Sequence, residues 1–220
     1  MTDQRASHAP ELAIIGAGQY SALVAELAET CGYHVVCYLD DDPGKQGTSV
    51  QGVPVRGPIA AGLPAIPRDV AVAVALGDND ARSKWLVAAR QLGYRVPALV
   101  SPLATVSPSA EIGDGVHLHP GCHVWTQARV GLGSVLSPGT TVAHHTTLGE
   151  GCFAASGANI GASINVGRGA FFGIGSVTST GVANIAEHTL VGAGAVIIRD
   201  TEPYGVYAGS PGRLLRVAAS

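Results

Sequence analysis

The sequence is poor in charge, in aromatic side chains and in paired cysteines. Of its 220 residues, 13% are charged and 5% are aromatic, and the formal net charge is −3. No cluster of Lys and Arg is present, so nothing indicates binding to nucleic acid or to an anionic membrane surface. We therefore expect small-molecule partners.

Cysteine patterns and long apolar runs are also lacking. The four cysteines are scattered, with no CxxC pair and no spacing that indicates a set of disulfide bonds; they are Cys31, Cys37, Cys122 and Cys152. This pattern is typical of proteins in a reducing compartment. No apolar run reaches the ~18 residues that a membrane-spanning helix needs. The first residues, MTDQRASHAPE, lack the apolar core of a signal peptide. These absences predict a soluble cytoplasmic protein without a membrane partner.

The first half of the sequence alternates short apolar runs with amphipathic helical stretches. ELAIIGAG is followed by SALVAELAETCGY and HVVCYLDDD, and VAVAVALGD is followed by DARSKWLVAARQLGY. This alternation predicts βαβ units, in which helices cover a small parallel sheet. We therefore assign residues 1–100 to a Rossmann-like α/β domain.

The second half replaces this alternation with a six-residue repeat. Glycine, which occurs 30 times in the chain, surrounds apolar anchors in IGDGVH, VGLGSV, LGEGCF, VGRGAF and VGAGAV. The period predicts a parallel β-helix in which one anchor per short strand fills the axis. We assign residues 101–220 to this domain. The anchors, with a one-residue slip after the thirteenth, are Val106, Ile112, Leu118, Val124, Val130, Leu136, Val142, Leu148, Ala154, Ile160, Val166, Phe172, Thr178, Ile185, Val191 and Ile197.

This repeat, over residues 106–200, resembles that of the hexapeptide-repeat acyltransferases. The tail YGVYAGSPGRLLR is similar to the ending of that family, with a G-x-P-[AG]-[KR] element at residues 209–213. The resemblance implies a left-handed parallel β-helix with three hexads per turn. It also implies homotrimers with active sites in the grooves between neighbouring subunits.

Taken with the first half, the whole chain resembles the bacterial sugar acetyltransferases that act on nucleotide-linked amino sugars. That family includes N-acetyltransferases for UDP-linked bacillosamine precursors and for GDP-perosamine, with a sialic acid O-acetyltransferase branch nearby. The resemblance implies that the first domain binds a sugar nucleotide and that the β-helix binds acetyl-CoA as acetyl donor.

The adjacent histidines His144 and His145 are the candidate catalytic residues. In the family, the histidine after a run S-x-V-x-E is the base, and the corresponding run here, TTVA, is followed by His144. A neutral imidazole is suited to accept the proton that an attacking amine or hydroxyl must lose. His145 stands where the family usually carries an acidic residue that polarises the base.

Two further features of this chemistry are expected. Phe153 stands where relatives carry another histidine, which contributes to the acetyl-donor pocket. A backbone N–H exposed by a glycine, such as Gly161 or Gly173, is expected to stabilise the oxyanion. The histidines His117, His119, His123 and His188 are expected on the surface or in a seam between subunits.

Three stretches of the first domain carry the predicted nucleotide-sugar site. GAGQYS, where relatives often read GAGGHG, lies at a strand-to-helix turn whose N–H groups can approach a phosphate. CYLDDD ends the second strand, and ALGDNDAR is similar to the family's G-[DN]-N-x-x-R. In an NAD site, Asp40 would bind a ribose hydroxyl. The resemblance implies instead that Asp40 and Asp41 contact the base and the ribose of a sugar nucleotide. The predicted substrate-binding residues are Gly16, Gly18, Gln19, Tyr20, Asp40, Asp41, Asp78, Asn79 and Arg82.

The acetyl donor is expected along the β-helix. In relatives the pantetheine arm lies in the groove between coils and the adenine lies near the C-terminal end. The predicted acetyl-CoA-binding residues are Gly161, Gly173, Ile174, Gly175, Gly192, Pro211 and Arg213. Arg213 or Arg216 is available to a CoA phosphate.

The function that these features predict is acetyl transfer from acetyl-CoA to the amine of a nucleotide-linked 4-amino-4-deoxy sugar. One alternative is O-acetylation of a sugar hydroxyl, as in the sialic acid branch. Another is a non-catalytic sugar-nucleotide-binding scaffold. A γ-type carbonic anhydrase needs three zinc-binding histidines, two of them five apart, but Gly149 stands five residues after His144, so no metal is predicted.

Overall fold

A computed structural model describes residues 9–218, so the outer ends of both predicted domains, residues 1–8 and 219–220, lie outside the described part. The first domain has helices on both sides of a sheet with strand order β3-β4-β2-β1-β5. The pairs β1–β2, β1–β5 and β2–β4 are parallel, and β3–β4 is an antiparallel hairpin. Its elements are β1 Glu11–Ile15, α1 Gln19–Thr30, β2 His34–Leu39, β3 Ser49–Val50, β4 Val53–Arg56, α2 Ile59–Gly62, a 3₁₀ turn Leu63–Ala65, β5 Ala71–Val74 and α3 Asn79–Gln91.

From Leu99 onwards the chain forms two-residue strands that stack into three sheets. These strands are β6 Leu99–Val100, β7 Thr105–Val106, β8 Glu111–Ile112, β9 His117–Leu118, β10 His123–Val124, β11 Arg129–Val130, β12 Val135–Leu136, β13 Thr141–Val142, β14 Thr147–Leu148, β15 Phe153–Ala154, β16 Asn159–Ile160, β17 Asn165–Val166, β18 Phe171–Phe172, β19 Val177–Thr178, β20 Asn184–Ile185, β21 Leu190–Val191 and β22 Val196–Ile197. A C-terminal hairpin follows, with β23 Gly205–Ala208 and β24 Arg213–Val217.

Each turn of the β-helix advances the chain by 18 residues and visits all three sheets. We call the sheet that contains β6, β9, β12, β15, β18 and β21 the docking sheet, because the first domain packs on it. The second sheet contains β7, β10, β13, β16, β19 and β22, and the third contains β8, β11, β14, β17 and β20. The one-residue slip is confirmed, since Val166 pairs with Ile185.

The anchors of the hexad point into the prism, as predicted. From Leu118 to Ile197 they are almost fully buried, and all of them except the polar Thr178 form one continuous hydrophobic cluster. Burying each such aliphatic side chain is worth about 1.5–3 kcal/mol. The predicted fold class is therefore confirmed: a small Rossmann-like parallel sheet followed by a left-handed parallel β-helix.

The turns between sheets explain the abundance of glycine. From Gly115 onwards, each turn between two sheets has one residue with a positive φ, and at two of the three corners this residue is usually glycine, as at Gly121 and Gly133. The third corner joins the second sheet to the third and holds Gln127, His145 and Ser163 before Gly181 in the last coil. A side chain in this left-handed conformation costs about 1–2 kcal/mol. We call this third corner the histidine corner.

The two domains meet at the docking sheet, whose first strand, Leu99–Val100, lies just before the predicted domain boundary. The partly buried Cys31 donates from Sγ to the carbonyl of Val100 at 3.2 Å. Where α3 crosses the coils, Gly133 has φ +65°, and a Cβ there would lie 2.2 Å from Leu86 Cδ1, so a larger residue would strain the backbone and displace Leu86. Among the described residues, no helix combines the length and apolar character needed to cross a membrane.

Candidate active site

His144 and His145 lie side by side at the histidine corner, and both are exposed. Their Nδ1 atoms are 3.0 Å apart, and the two rings meet edge to face at 88°. One of these nitrogens must carry the shared proton and the other must accept it. Within residues 9–218 the Nε2 atom of His144 has no hydrogen-bond partner, so this nitrogen is open to a ligand.

The glycine-rich turn of the first domain combines a buried position that only glycine fits with an exposed one. Gly16 has φ +100°, and a Cβ there would lie 2.7 Å from the carbonyl oxygen of Ala75, so only glycine fits. Gly18 is different, because it is exposed and a Cβ there would meet nothing within 4 Å. It stands at the start of α1, next to the exposed side chain of Gln19. The turn therefore leaves open space where N–H groups of a helix N-terminus can face a phosphate.

Asp40 holds this turn in place. Its Oδ2 accepts from the Ala17 N–H at 2.7 Å and from Lys45 Nζ at 3.1 Å, and its Oδ1 accepts from the Asp42 N–H at 2.9 Å. Burial alone would raise the pKa of Asp40, but these hydrogen bonds and the charge of Lys45 lower it below its usual range. Asp41 is exposed and accepts from the Ile59 N–H at the start of α2.

Lys45 was missed by the sequence reasoning. Its ammonium group lies between Asp40 and Asp42, at 3.1 and 3.9 Å. The only signal in the sequence is a lone cation shortly after an acidic run. Lys45 therefore places a partly exposed positive charge beside the turn that Asp40 organises.

Asp78 caps α3, and the residues that follow it join the domains. Asp78 Oδ1 accepts from the Ala81 N–H at 2.7 Å. Asn79 Nδ2 donates to the Gly169 carbonyl, while Asn79 Oδ1 accepts from Arg82 at 2.8 Å. Both polar atoms of the Asn79 side chain are thus used within the fold.

Arg82 is fully buried, and it donates to main-chain carbonyls on both sides of the domain interface. Its partners are the carbonyls of Leu76 at 3.1 Å, Gly133 at 2.8 Å and Gly151 at 2.9 Å. The prediction that Asn79 and Arg82 bind the substrate is therefore corrected, because these side chains dock the first domain onto the β-helix.

Tyr20 lies under the glycine-rich turn, against the docking sheet. Its hydroxyl is 3.0 Å from His117 Nδ1, and its ring lies 6.1 Å from that of His119 and 6.3 Å from that of Phe153. Burial raises the pKa of Tyr20, so its phenol stays neutral, and the tautomer of His117 decides which of the two groups donates this hydrogen bond. Phe153 stacks in turn on Phe171, with ring centroids 5.4 Å apart. An aromatic row therefore extends from the turn along the docking sheet.

The expectation that His117 and His119 lie on the surface or in a subunit seam is wrong. Both are buried, because their sheet is the one that the first domain covers. Burial, followed by the neighbouring His119 and Arg82, lowers the pKa of His117 to about 3. Burial also lowers the pKa of His119. The Nε2 atoms of both rings lack hydrogen-bond partners, so this cluster is neutral and costly to protonate.

The predicted acetyl-CoA residues divide between two corners and the tail. Gly161 lies on the second sheet, one coil beyond Ala143, and Ser163 N–H donates to the carbonyl of His144. A different corner, which joins the docking sheet to the second sheet, holds Gly173, Ile174, Gly175 and Gly192. The side chain of Ile174 is 66% exposed there. Pro211 and Arg213 are exposed in the C-terminal hairpin. One chain therefore does not bring this whole set together.

The expectation of an oxyanion donor at Gly161 or Gly173 is corrected by the stacking of the coils. The Gly161 N–H donates to the carbonyl of Thr178 at 3.0 Å, and the Gly173 N–H donates to that of Val191 at 2.7 Å. Neither N–H is available to a substrate. In the part of the chain that the structure describes, no group of three or more His, Cys, Asp or Glu side chains could hold a metal ion.

Comparison with known proteins connects this geometry to a family. The family described as "PglD N-terminal domain" matches residues 11–88. No curated protein sequence gives a significant match. The perosamine N-acetyltransferase from Caulobacter crescentus, solved as a histidine-to-asparagine mutant with CoA and GDP-perosamine, is 32% identical, with 93% of this chain and 96% of that chain covered and a TM-score of 0.87.

Other solved structures extend the likeness. The acetyltransferase domain of PglB from Neisseria gonorrhoeae FA1090 is 32% identical over 94% of this chain and 100% of that chain, with a TM-score of 0.87. WeeI from Acinetobacter baumannii AYE, at 24% identity over 93% of this chain and 99% of that chain, has the same fold with a TM-score of 0.83. With these relatives matched over both domains, the chain belongs to the family of nucleotide-amino-sugar N-acetyltransferases.

Proposed function

We propose that the protein transfers the acetyl group of acetyl-CoA to the amine of a nucleotide-linked 4-amino-4-deoxy sugar, with His144 as general base. The observation that carries this proposal is the exposed His144 ring, with Nδ1 engaged by His145 and Nε2 open. Support comes from the perosamine N-acetyltransferase, which was solved with both ligands and with a histidine replaced by asparagine or by alanine.

The reaction requires the amine nitrogen to attack the thioester carbonyl and then to lose a proton. Nε2 of His144 accepts that proton as the tetrahedral intermediate forms. Ala162 lies 18 residues after His144, at the same corner one coil further along, and within the described residues its N–H has no hydrogen-bond partner. This N–H is our candidate for the oxyanion donor.

The proposed location and partners follow from the same reading. All four cysteines are free, as expected in the reducing cytoplasm, where we place the protein. Its substrates are acetyl-CoA and a sugar nucleotide. We propose that the sugar nucleotide binds beside the glycine-rich turn. The residues assigned to this site either shape the turn or face solvent next to it: Gly16, Gly18, Gln19, Tyr20, Asp40, Asp41 and Asp78.

Replacing His144 with alanine is expected to reduce acetyl transfer by at least about 10²-fold, because the amine then has no positioned base. The assay follows thiol release from acetyl-CoA with UDP-, GDP- and dTDP-linked 4-amino sugars. His34→Ala is the matched control, because His34 is exposed at the start of β2, in the other domain. If only sugar hydroxyls react, the protein is an O-acetyltransferase and the proposed N-acetylation is wrong. If CoA binds but no acceptor is acetylated, the result supports a non-catalytic sugar-nucleotide-binding scaffold.

We further propose that the active site is shared between chains of a homotrimer. The first domain packs on the docking sheet, whereas His144 lies at the corner between the other two sheets. In a three-sided prism that corner is opposite the docking sheet, so a nucleotide held by one chain reaches the His144 of a neighbour.

Mixing two inactive variants is expected to restore activity if sites are shared. Gly18→Val adds a side chain in the open space at the glycine-rich turn without a clash inside the protein, and His144→Ala removes the base. In randomly mixed trimers, about one quarter of the sites would combine an intact turn with an intact base from a neighbour. Co-expression and assay of the mixed protein test this. No recovery in mixed trimers of confirmed mass would place both halves of the site in one chain.

A further inference from the structure

The His145 side chain occupies an unusual place in the β-helix. It stands at the positive-φ position of its turn, which is glycine at most other corners, and has φ 60°. Its Nδ1 lies within hydrogen-bond distance of His144 Nδ1, at 3.0 Å. A polar recess beside the ring is lined by Ser109, Glu111, Gln127, Arg129 and Thr147.

The contact fixes the hydrogen-bonding roles of the two rings once His144 acts as a base. A base that accepts a proton at Nε2 must carry its own hydrogen on Nδ1. This hydrogen then points to His145 Nδ1, which must be an unprotonated acceptor. The hydrogen of a neutral His145 is accordingly on its Nε2.

We propose that His145 is the positioning residue of His144: its neutral ring accepts the Nδ1–H of His144 and so holds the Nε2 lone pair ready for the acceptor amine. This inference rests on the proposed function, and it names what orients the base in a chain that lacks a carboxylate at position 145. A neutral imidazole thus serves where an ionised acid would otherwise bind the base.

The transfer step balances with this pair. A C–N bond forms between the amine and the acetyl carbon, and the amine proton moves to His144 Nε2. The C–S bond then breaks, and the same proton passes from His144 to the departing sulfur, so the pair ends as it began. His145 keeps its proton on Nε2 throughout and supports the transient charge on His144 by accepting its hydrogen bond.

Reversing the roles of the two rings would block the base. If His145 Nδ1 carried a hydrogen, His144 would have to accept it at Nδ1 and carry its own hydrogen on Nε2, which then could not take a proton from the amine. The charged groups that line the recess beside His145 are Glu111 and Arg129, which pair with each other at 3.3 Å and are largely exposed. Base catalysis at His144 Nε2 therefore requires His145 to be the acceptor in this contact.

Two variants separate positioning from a structural role. His145→Asn keeps an acceptor oxygen, suits the left-handed backbone and does not titrate. His145→Ala keeps the turn but removes the acceptor. We expect kcat to fall about 10–100-fold in His145→Ala, as for lost partners of reactive groups, and to be largely rescued in His145→Asn. Ser163→Asn, at the same turn position one coil further on, is the matched control.

The decisive readout is the separation of kcat from KM. His145→Ala is expected to lower kcat while the KM values for acetyl-CoA and the acceptor stay near those of wild type, and Ser163→Asn keeps both kcat and KM. Full activity in His145→Ala, or no recovery of kcat in His145→Asn, would overturn the proposal.

A readout independent of turnover separates this inference from the proposed function. With selective ¹⁵N labelling of histidine, the ring nitrogens of His144 should report the Nδ1–H tautomer in wild type and lose it in His145→Ala. If no acceptor sugar reacts but this tautomer is seen, the proposed function fails and the positioning by His145 stands. If acetyl transfer occurs and His144 carries its proton on Nε2 in wild type, the positioning role is wrong.

Discussion

Replacing Arg82 with methionine is expected to lower the free energy of unfolding by about 3 kcal/mol. Methionine keeps an apolar stem, so packing is largely preserved and the loss comes from the hydrogen bonds. The carbonyls of Leu76, Gly133 and Gly151 would then be buried without their donor. Each such unsatisfied group costs about 1–3 kcal/mol, and release of a buried charge offsets part of the total.

The matched control is Arg90→Met on the same helix. Arg90 also reaches across to the β-helix, where it lies 3.5 Å from Asp114, but both side chains are more than half exposed. Surface pairs of this kind contribute at most about 1 kcal/mol. Urea unfolding of the two variants and of wild type gives the comparison. Equal losses in both variants would show that Arg82 is no more important for docking than a surface ion pair.

Lowering the pH should destabilise the protein through the buried histidines. The pKa of His117 is lowered by burial to about 3 in the folded chain, against about 6.5 when unfolded. The neutral ring is thus favoured by folding, so the stability it confers is complete above about pH 6.5 and is lost progressively as the pH falls towards 3. His119, whose pKa burial also lowers, adds a change of the same sign.

His117→Asn should flatten this dependence. Asparagine offers Tyr20 an acceptor oxygen in place of Nδ1 but does not titrate. Between pH 7 and about pH 4.5, wild type is expected to lose about 2 kcal/mol more than the variant, as measured by urea unfolding across the range. The control His123→Asn changes an exposed ring on the second sheet and should keep the wild-type slope. A wild-type slope in His117→Asn would mean that the ring is already hydrated or charged near neutral pH.

The sequence predicted the β-helix well because one property, side-chain size and polarity at every sixth position, determines which residues point inward. The anchors and the slip needed no knowledge of distant contacts. It failed for His117 and His119 because periodicity shows that a residue points outward but not what covers that sheet. Here the covering surface comes from the first domain, which is far away in the chain.

The same limit applied to the predicted nucleotide-sugar site. The glycine-rich turn was identified because local backbone geometry requires small residues there. Asn79 and Arg82 were misread because a polar side chain after a strand is typical both of a ligand site and of a docking contact. Only the positions of the carbonyls of Gly133, Gly151 and Gly169 distinguish the two.

The docking contact also sets where the first domain lies along the prism. Arg82 binds the carbonyls of Gly133 and Gly151, one coil apart, and His144 lies between them in the chain. The docking contact and the histidine corner are therefore level to within about one coil, or roughly 4.8 Å. The homotrimer that we propose needs its subunits to be related by rotation with no rise along the prism. An assembly without a rise closes into a ring, whereas one with a rise would grow into a filament.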